Sequence, residues 1–276
     1  MINLVDILNY EFVQRAFLAG MLIAAVSSIL GVFLVLRRFS LIGDGLAHIT
    51  FGSVAIVILI GVSPLYITVA ALPLVMLSSL AILKLTHSRN IHGDAAIGIV
   101  SSLGIATGII LAGLSGGYNL DLFSYLFGNI LTVTKTELWL SCIVFFITFT
   151  TVIIFYNDFL AITFDEELAR TMGIKTKRIN TILFLLTAIA TVLAMKVAGI
   201  MLVSAMIILP PLTALQLSMS FKKTIIAAVC FSVVSVICGI ILAFLLNLPA
   251  GGTIVVFNIG FLLLTFGAKK ILPLSR

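Results

Sequence analysis

Nine apolar stretches of about twenty residues each follow one another with short gaps, and this alternation limits the fold more than any single motif does. They cover roughly residues 17–36, 41–62, 65–85, 95–115, 137–156, 179–197, 199–219, 224–246 and 253–272. A helix needs about 20 residues to cross a hydrocarbon core about 30 Å thick. Lipid offers backbone groups no hydrogen-bond partner, so stretches of this length read as helices that satisfy their own N–H and C=O groups. Composition agrees: 62% of residues are hydrophobic, 9% are charged and the mean hydropathy is +1.32. Soluble domains carry roughly 25% charged residues, so this chain lacks the polar surface for water. The expected fold is an all-α integral membrane protein, a polytopic bundle of eight or nine transmembrane helices in a single domain over residues 1–276. Met1 to Tyr10 lacks the basic n-region of a cleavable signal, and the stretch from Phe17 is long enough to span.

The net charge of +6 raises the question of nucleic acid, but its placement argues against that partner. Arg37 and Arg38, Lys175 with Lys177 and Arg178, Lys222 and Lys223, and Lys269 and Lys270 sit in short gaps or at stretch ends. That is the positive-inside distribution of a membrane protein. With Arg37 and Arg38 inside and nine spans, the outer loops hold only Lys135 and Lys196. The N-terminus is then outside and the C-terminus cytoplasmic, in a cell membrane. Eight spans result if one candidate does not cross. Cys142, Cys230 and Cys238 form no C-x-x-C and read as small buried apolar residues.

Two places break the helical pattern. Asp121 to Leu131, after Gly116 and Gly117, is apolar but too short to cross, and reads as a half-helix or re-entrant segment on the outer side. Pro210 and Pro211 lie inside the seventh stretch, where lost donors and ring clashes predict a kink or unwinding. Such a break lines the pathway in many transporters, and is elsewhere only a tolerated kink. The chain has no G-x-x-x-x-G-K-[ST] loop, so ATP hydrolysis would belong to another chain.

Few residues here can carry chemistry. Asp44 and His48 are four apart and share a helix face. Counted from Ser40, they lie roughly 6 Å and 12 Å along the helix. An intramembrane carboxylate is costly and usually turned inward for a use. Carboxylate with imidazole suits zinc, manganese or iron, whereas the bland alternative is an Asp–His hydrogen bond near the inner interface. His87 and His92 fall in an inner loop and read as solvated. Loop 157–178 holds the densest charge. Within it, Asp165 to Gly173 reads as a short helix with acids in its first turn, a glycine end and Leu168 and Met172 on one apolar face. That face suits a partner protein or the membrane interface. Lys196 either lines an outer entrance or snorkels to the interface.

At these residues the sequence resembles the membrane subunit of bacterial ABC importers for zinc and manganese, closest to the Znu-type zinc permeases. The matching stretches are Arg37-Arg-Phe-Ser-Leu-Ile-Gly-Asp-Gly-Leu-Ala-His48, Ser124-Tyr-Leu-Phe-Gly-Asn-Ile-Leu131, Glu167-Leu-Ala-Arg-Thr-Met-Gly173, Met195-Lys-Val-Ala-Gly-Ile-Met-Leu-Val-Ser-Ala-Met-Ile-Ile-Leu-Pro210 and Leu248-Pro-Ala-Gly-Gly252. The resemblance implies a homodimer of permeases on two cytoplasmic ATPases, fed by an external metal-binding protein. It assigns metal coordination to Asp44 and His48, with zinc or manganese as cargo and no permanently bound cofactor. It assigns ATPase coupling to Glu167, Leu168, Ala169, Arg170, Met172 and Gly173. The chain departs from its relatives at Asn129, where many have Asp, and at Ser53, where they have Gly while here the glycine is Gly52. Ala47, where manganese-type members often have Ser, leans towards zinc. A stand-alone carrier would need several buried ionisable residues, and only one such pair is evident. A metalloprotease would need H-E-x-x-H, which the sequence lacks.

Overall fold

The computed structural model describes residues 10–63, 66–86, 93–114, 133–246 and 248–271, and regular structure among them is helical throughout. The helices are α1 (Glu11–Leu36), α2 (Ile42–Leu59), α3 (Ile67–Thr86), α4 (Gly93–Leu114), α5 (Lys135–Ile154), α6 (Tyr156–Phe164), α7 (Glu166–Thr171), α8 (Thr176–Ala198), α9 (Ile200–Gln216), α10 (Phe221–Leu246) and α11 (Ala250–Ile271). Eight of these are long and apolar enough to cross a membrane: α1 to α5, α8, α10 and α11. Asp121 to Leu131, with Asn129, and both His87 and His92 lie outside the described residues.

Contacts between helix ends sort the bundle into two faces. On one, Arg37 after α1 meets Glu166 of α7 and Asn180 near the start of α8. Phe221, at the start of α10, packs on Phe33 and Phe164 on that same face. On the other, Lys196 near the end of α8 reaches Glu137 near the start of α5 at 2.6 Å. Lys135 lies 3.9 Å from Glu11 at the start of α1 on this second face. Helix α9 joins the end of α8 to the start of α10, so it carries the chain from one face to the other. Its 17 residues reach about 26 Å. It therefore runs between the two faces beside the eight longer spans. Gly199 separates α8 from α9 with φ +80°, a region that glycine enters without steric penalty.

Of the kink or unwinding expected at the prolines, the unwinding does not occur. Helix α9 continues through Pro210 and Pro211 to Gln216 without unwinding. A proline at position 211 leaves the Ile207 carbonyl without its i+4 donor. Gly31 of α1 lies against that carbonyl, and any side chain there would collide with it and with Pro211. Close backbone approach by a neighbouring helix thus accompanies the broken ladder, as in other membrane helices.

Burial ranks the helices. The spanning windows of α1, α2 and α8 are 78%, 72% and 72% buried, whereas those of α5 and α11 are only 22% and 17%. The first three form the interior and the last two the periphery, where Trp139, Phe146 and Ile154 of α5 face outward. This arrangement corrects the reading of the cysteines. Cys230 is exposed and Cys142 and Cys238 are half-buried, because α5 and α10 turn most of their surface away from the core. Interhelical hydrogen bonds add specificity. Ser79 donates to the Phe184 carbonyl at 2.8 Å, Ser232 to that of Ala24 at 3.1 Å, and Ser235 to Asn258 Oδ1 at 2.9 Å. Such bonds contribute about 0.6 kcal/mol each between membrane helices.

Candidate metal centre

Helix α2 is buried on nearly all sides. From Ile42 to Ala55 every residue is buried except Asp44 and His48. Their side chains are 49% and 25% exposed, one turn apart, and His48 Nε2 lies 3.5 Å from Asp44 Oδ2. The two potential ligands therefore form an open stripe on an otherwise packed helix. Asp44 sits in the first turn, where the helix dipole favours negative charge. Ser204 of α9 donates to Asp44 Oδ1 at 3.3 Å. Gly43 lets α9 come this close, because a Cβ there would stand 2.8 Å from Ile207 Cδ1 and 3.5 Å from Ser204 Cα.

The opposite side of α2 is held by α4 at backbone contact. A Cβ on Gly104 would lie 2.6 Å from Ile49 Cα, 2.7 Å from the His48 carbonyl oxygen and 2.8 Å from the Ile49 nitrogen. Gly52 faces the Gly104 carbonyl and Thr107 at equally close range. Among the described residues no three His, Cys, Asp or Glu side chains converge. The arrangement can offer a cation a carboxylate and an imidazole, with Ser204 orienting the carboxylate and the remaining positions open.

A second polar cluster lies at the Arg37 face. Arg37 donates to Glu166 Oε2 at 2.8 Å and to Asn180 Oδ1 at 2.7 Å, and Asn180 donates in turn to Glu166 Oε1 at 2.8 Å. Each member contacts both others. Burial lowers the Arg37 pKa from its ordinary value, while the Glu166 charge and hydrogen bond push it back up. The guanidinium also stands 5.5 Å from the centre of the Phe39 ring, whose edge meets Phe184. The turn from α1 into α2 is thereby tied to α7 and α8, a few residues before Asp44.

Helix α7 matches the expected short helix. Asp165 caps it, accepting from the Leu168 N–H at 2.9 Å. Gly173 at φ +86° ends it, with Gly173 N–H donating to Arg170 O and Ile174 N–H to Ala169 O. Ala169 is buried at 1% exposure, while Leu168 and Met172 are 58% and 70% exposed, as is Phe164 just before the helix at 70%. Glu167 and Arg170 are exposed. At the other face Lys196 is partly buried beside Glu137 in an ion pair, an arrangement that neither the entrance-lining nor the snorkelling reading included. Glu137 also closes a capping box with Thr134 at the start of α5.

Sequence reasoning missed Ser204, Glu166, Asn180 and Glu137 as partners. Two of them had a signal. Glu137 is an acid near the same end of the spans as Lys196, and Asn180 is a polar residue entering an apolar stretch.

The chain is 34% identical over 281 residues to the manganese transport system membrane protein MntC of Listeria monocytogenes, covering 100% of this chain and 98% of that protein. It is 31% identical over 247 residues to the high-affinity zinc uptake system membrane protein ZnuB of Haemophilus influenzae, covering 90% of this chain and 94% of that protein. Among solved structures, PsaBC from Streptococcus pneumoniae in complex with Fab superposes with a TM-score of 0.84 at 32% identity, covering 95% of this chain and 94% of that one. The profile described as the ABC 3 transport family matches residues 9–269. With nearly the whole length matched by profile, relatives and solved fold, the chain belongs to the ABC 3 transport family.

Proposed function

We propose that this chain is the membrane-spanning subunit of an ATP-driven importer that conducts a divalent transition metal into the cytoplasm through Asp44 and His48. The observation that carries this reading is the open Asp44–His48 stripe on a helix otherwise buried from Ile42 to Ala55. A side-chain pair kept accessible while its helix is packed on every other face has a use for that access. Two ligands bind a metal weakly, since a tight zinc site takes four. Weakness suits conduction, because an ion held firmly does not leave. Water, further polar groups or a second copy of the permease complete the coordination. Hydrolysis falls to separate cytoplasmic ATPase subunits, with α7 as the docking element, and an external metal-binding protein delivers the ion. The concentration of Lys and Arg on the Arg37 face makes that face cytoplasmic, with the N-terminus outside.

Ala47 leans towards zinc, yet relatives named for manganese are at least as similar as the one named for zinc. Radiolabelled zinc and manganese uptake therefore decides the cargo, in vesicles holding the permease, its ATPase and the external binding protein. Zinc uptake exceeding manganese uptake at equal free concentration supports zinc. Asp44→Asn/His48→Ala should abolish uptake of either metal, and His48→Asp should shift preference towards manganese, which favours oxygen ligands. Near-normal uptake by the double variant at equal expression would remove this pair from the pathway.

A further inference from the structure

The Arg37 face holds a second feature that the metal pathway does not use. A cavity of about 520 Å³ opens between α3, α7 and α8, lined by Leu80, Leu83, Lys84, Arg170, Lys177 and Thr181. Three of these six residues are cations, and no carboxylate lines the space. Some cations near helix ends are paired with acids: Arg37 with Glu166, Lys196 with Glu137, and Arg15 with Glu11. Among the described residues Lys84, Arg170 and Lys177 have no ion-pair partner within 4.0 Å. Exposed cations from three separate helices border one space and together attract an anion.

The walls say which kind of anion. Lys84 lies in the last turn of α3 and Lys177 near the start of α8, so the charges sit where two spanning helices meet the interface. Leu83 lines the cavity beside Lys84 and Leu80 one turn deeper along α3, and Leu77, three residues beyond Leu80, is 64% exposed on that helix. A cationic mouth thus continues into an apolar track that faces outward from the bundle. At about 520 Å³ the space is larger than an inorganic anion needs. Arg170 and the two lysines offer guanidinium and ammonium donors suited to phosphate oxygens. Basic pockets between transmembrane helices on the cytoplasmic side bind anionic headgroups.

We infer that Lys84, Arg170 and Lys177 bind the headgroup of an anionic phospholipid, whose acyl chain lies along Leu80 and Leu77 of α3. The bound lipid ties α7 to α3 and α8, because each contributes one cation. The site is separate from Asp44 and His48, and it stands whether or not those residues carry metal.

The test is binding to the purified full-length permease in detergent, by native mass spectrometry and melting. The probes are phosphatidylglycerol, phosphatidylcholine and inorganic phosphate. Phosphatidylglycerol should remain bound and raise the melting temperature, whereas phosphatidylcholine and free phosphate should do neither. Lys84→Gln/Arg170→Gln/Lys177→Gln should weaken phosphatidylglycerol binding by roughly a hundredfold, from about fivefold per cation. Lys222→Gln/Lys223→Gln/Lys269→Gln removes equal charge from the same face and should change binding little. Should the triple variant not fold, Lys177→Gln alone should lose about fivefold and Lys177→Arg should lose nothing. Equal loss in both triple variants would reduce the effect to general surface charge. Protection by inorganic phosphate alone would assign the cavity to a soluble anion, and equal binding of phosphatidylcholine would leave the cations without a role. Each of these results overturns the inference.

Discussion

Gly104 on α4 packs against the α2 backbone at His48 and Ile49, and adding one methyl group there tests whether this contact positions the candidate metal ligands. In Gly104→Ala the new Cβ would stand 2.6 Å from Ile49 Cα and 2.7 Å from the His48 carbonyl oxygen. Comfortable carbon–carbon separation is about 3.5–4.0 Å, so α2 and α4 must part by roughly 1 Å. The neighbouring atoms are backbone, and no flexible side chain can move aside. Overpacking of this kind costs about 1–3 kcal/mol, which lowers the melting temperature without preventing membrane insertion. The function should suffer more. Metal–ligand distances tolerate about 0.2 Å, and the displaced backbone carries His48 itself. Metal uptake in reconstituted vesicles should fall about tenfold or more, the equivalent of about 1.4 kcal/mol or more. Gly98→Ala and Gly113→Ala are the controls, because a Cβ at either position on the same helix meets nothing within 4 Å. Both should leave uptake intact, with a slight gain in stability from alanine's helix propensity. If Gly104→Ala transports as well as Gly98→Ala at equal expression, the α2–α4 contact does not position the ligands.

Arg37→Met should destabilise the folded protein by about 2–4 kcal/mol in unfolding measurements, since it strips Asn180, 1% exposed, and Glu166 of their cation. Glu166 is 39% exposed and can turn to water, which keeps the loss below that of a sealed pair, and Arg37→Met/Glu166→Gln should recover part of it; no recovery would count against the triad. Leu168→Asp and Gly173→Val should each weaken association with the ATPase while the permease still folds, the first by placing charge on an exposed apolar face and the second by straining a backbone at φ +86°. Unchanged coupled hydrolysis in both variants would exclude α7 as the docking element. In a cysteine-free background, an impermeant thiol reagent applied from outside should label a cysteine at position 250 and not one at 222; the reverse pattern would invert the orientation.

The bundle was legible because lipid imposes a severe condition on every spanning segment, and segment length and charge placement record it directly. The choice between eight and nine spans turned on α9, because only Lys196 and Gly199 divide an apolar run too long for one helix. The Asp44–His48 pair was equally legible, because spacing alone places i and i+4 on one face. Burial of individual residues was not. The cysteines read as buried from composition, but composition cannot distinguish a core-facing apolar residue from a lipid-facing one when the solvent is itself apolar. Partners distant in sequence escaped for a related reason. Glu166 looked like a helix-dipole acid and is instead clasped by Arg37, 129 residues earlier; Ser204 reaches Asp44 across 160 residues. A spacing rule follows one helix, whereas these pairs are set by which helices pack together. Packing in turn depends on where backbones touch, at Gly31 against Ile207 and at Gly52 against Gly104. In a chain with so few charged groups, the small residues between them decide where the charges meet. The stretch from Arg37 to His48 shows the consequence: Arg37 fixes its entry to α7 and α8, Gly43 admits Ser204, and Gly104 braces its far side, leaving Asp44 and His48 the only side chains in the packed part of α2 that remain open.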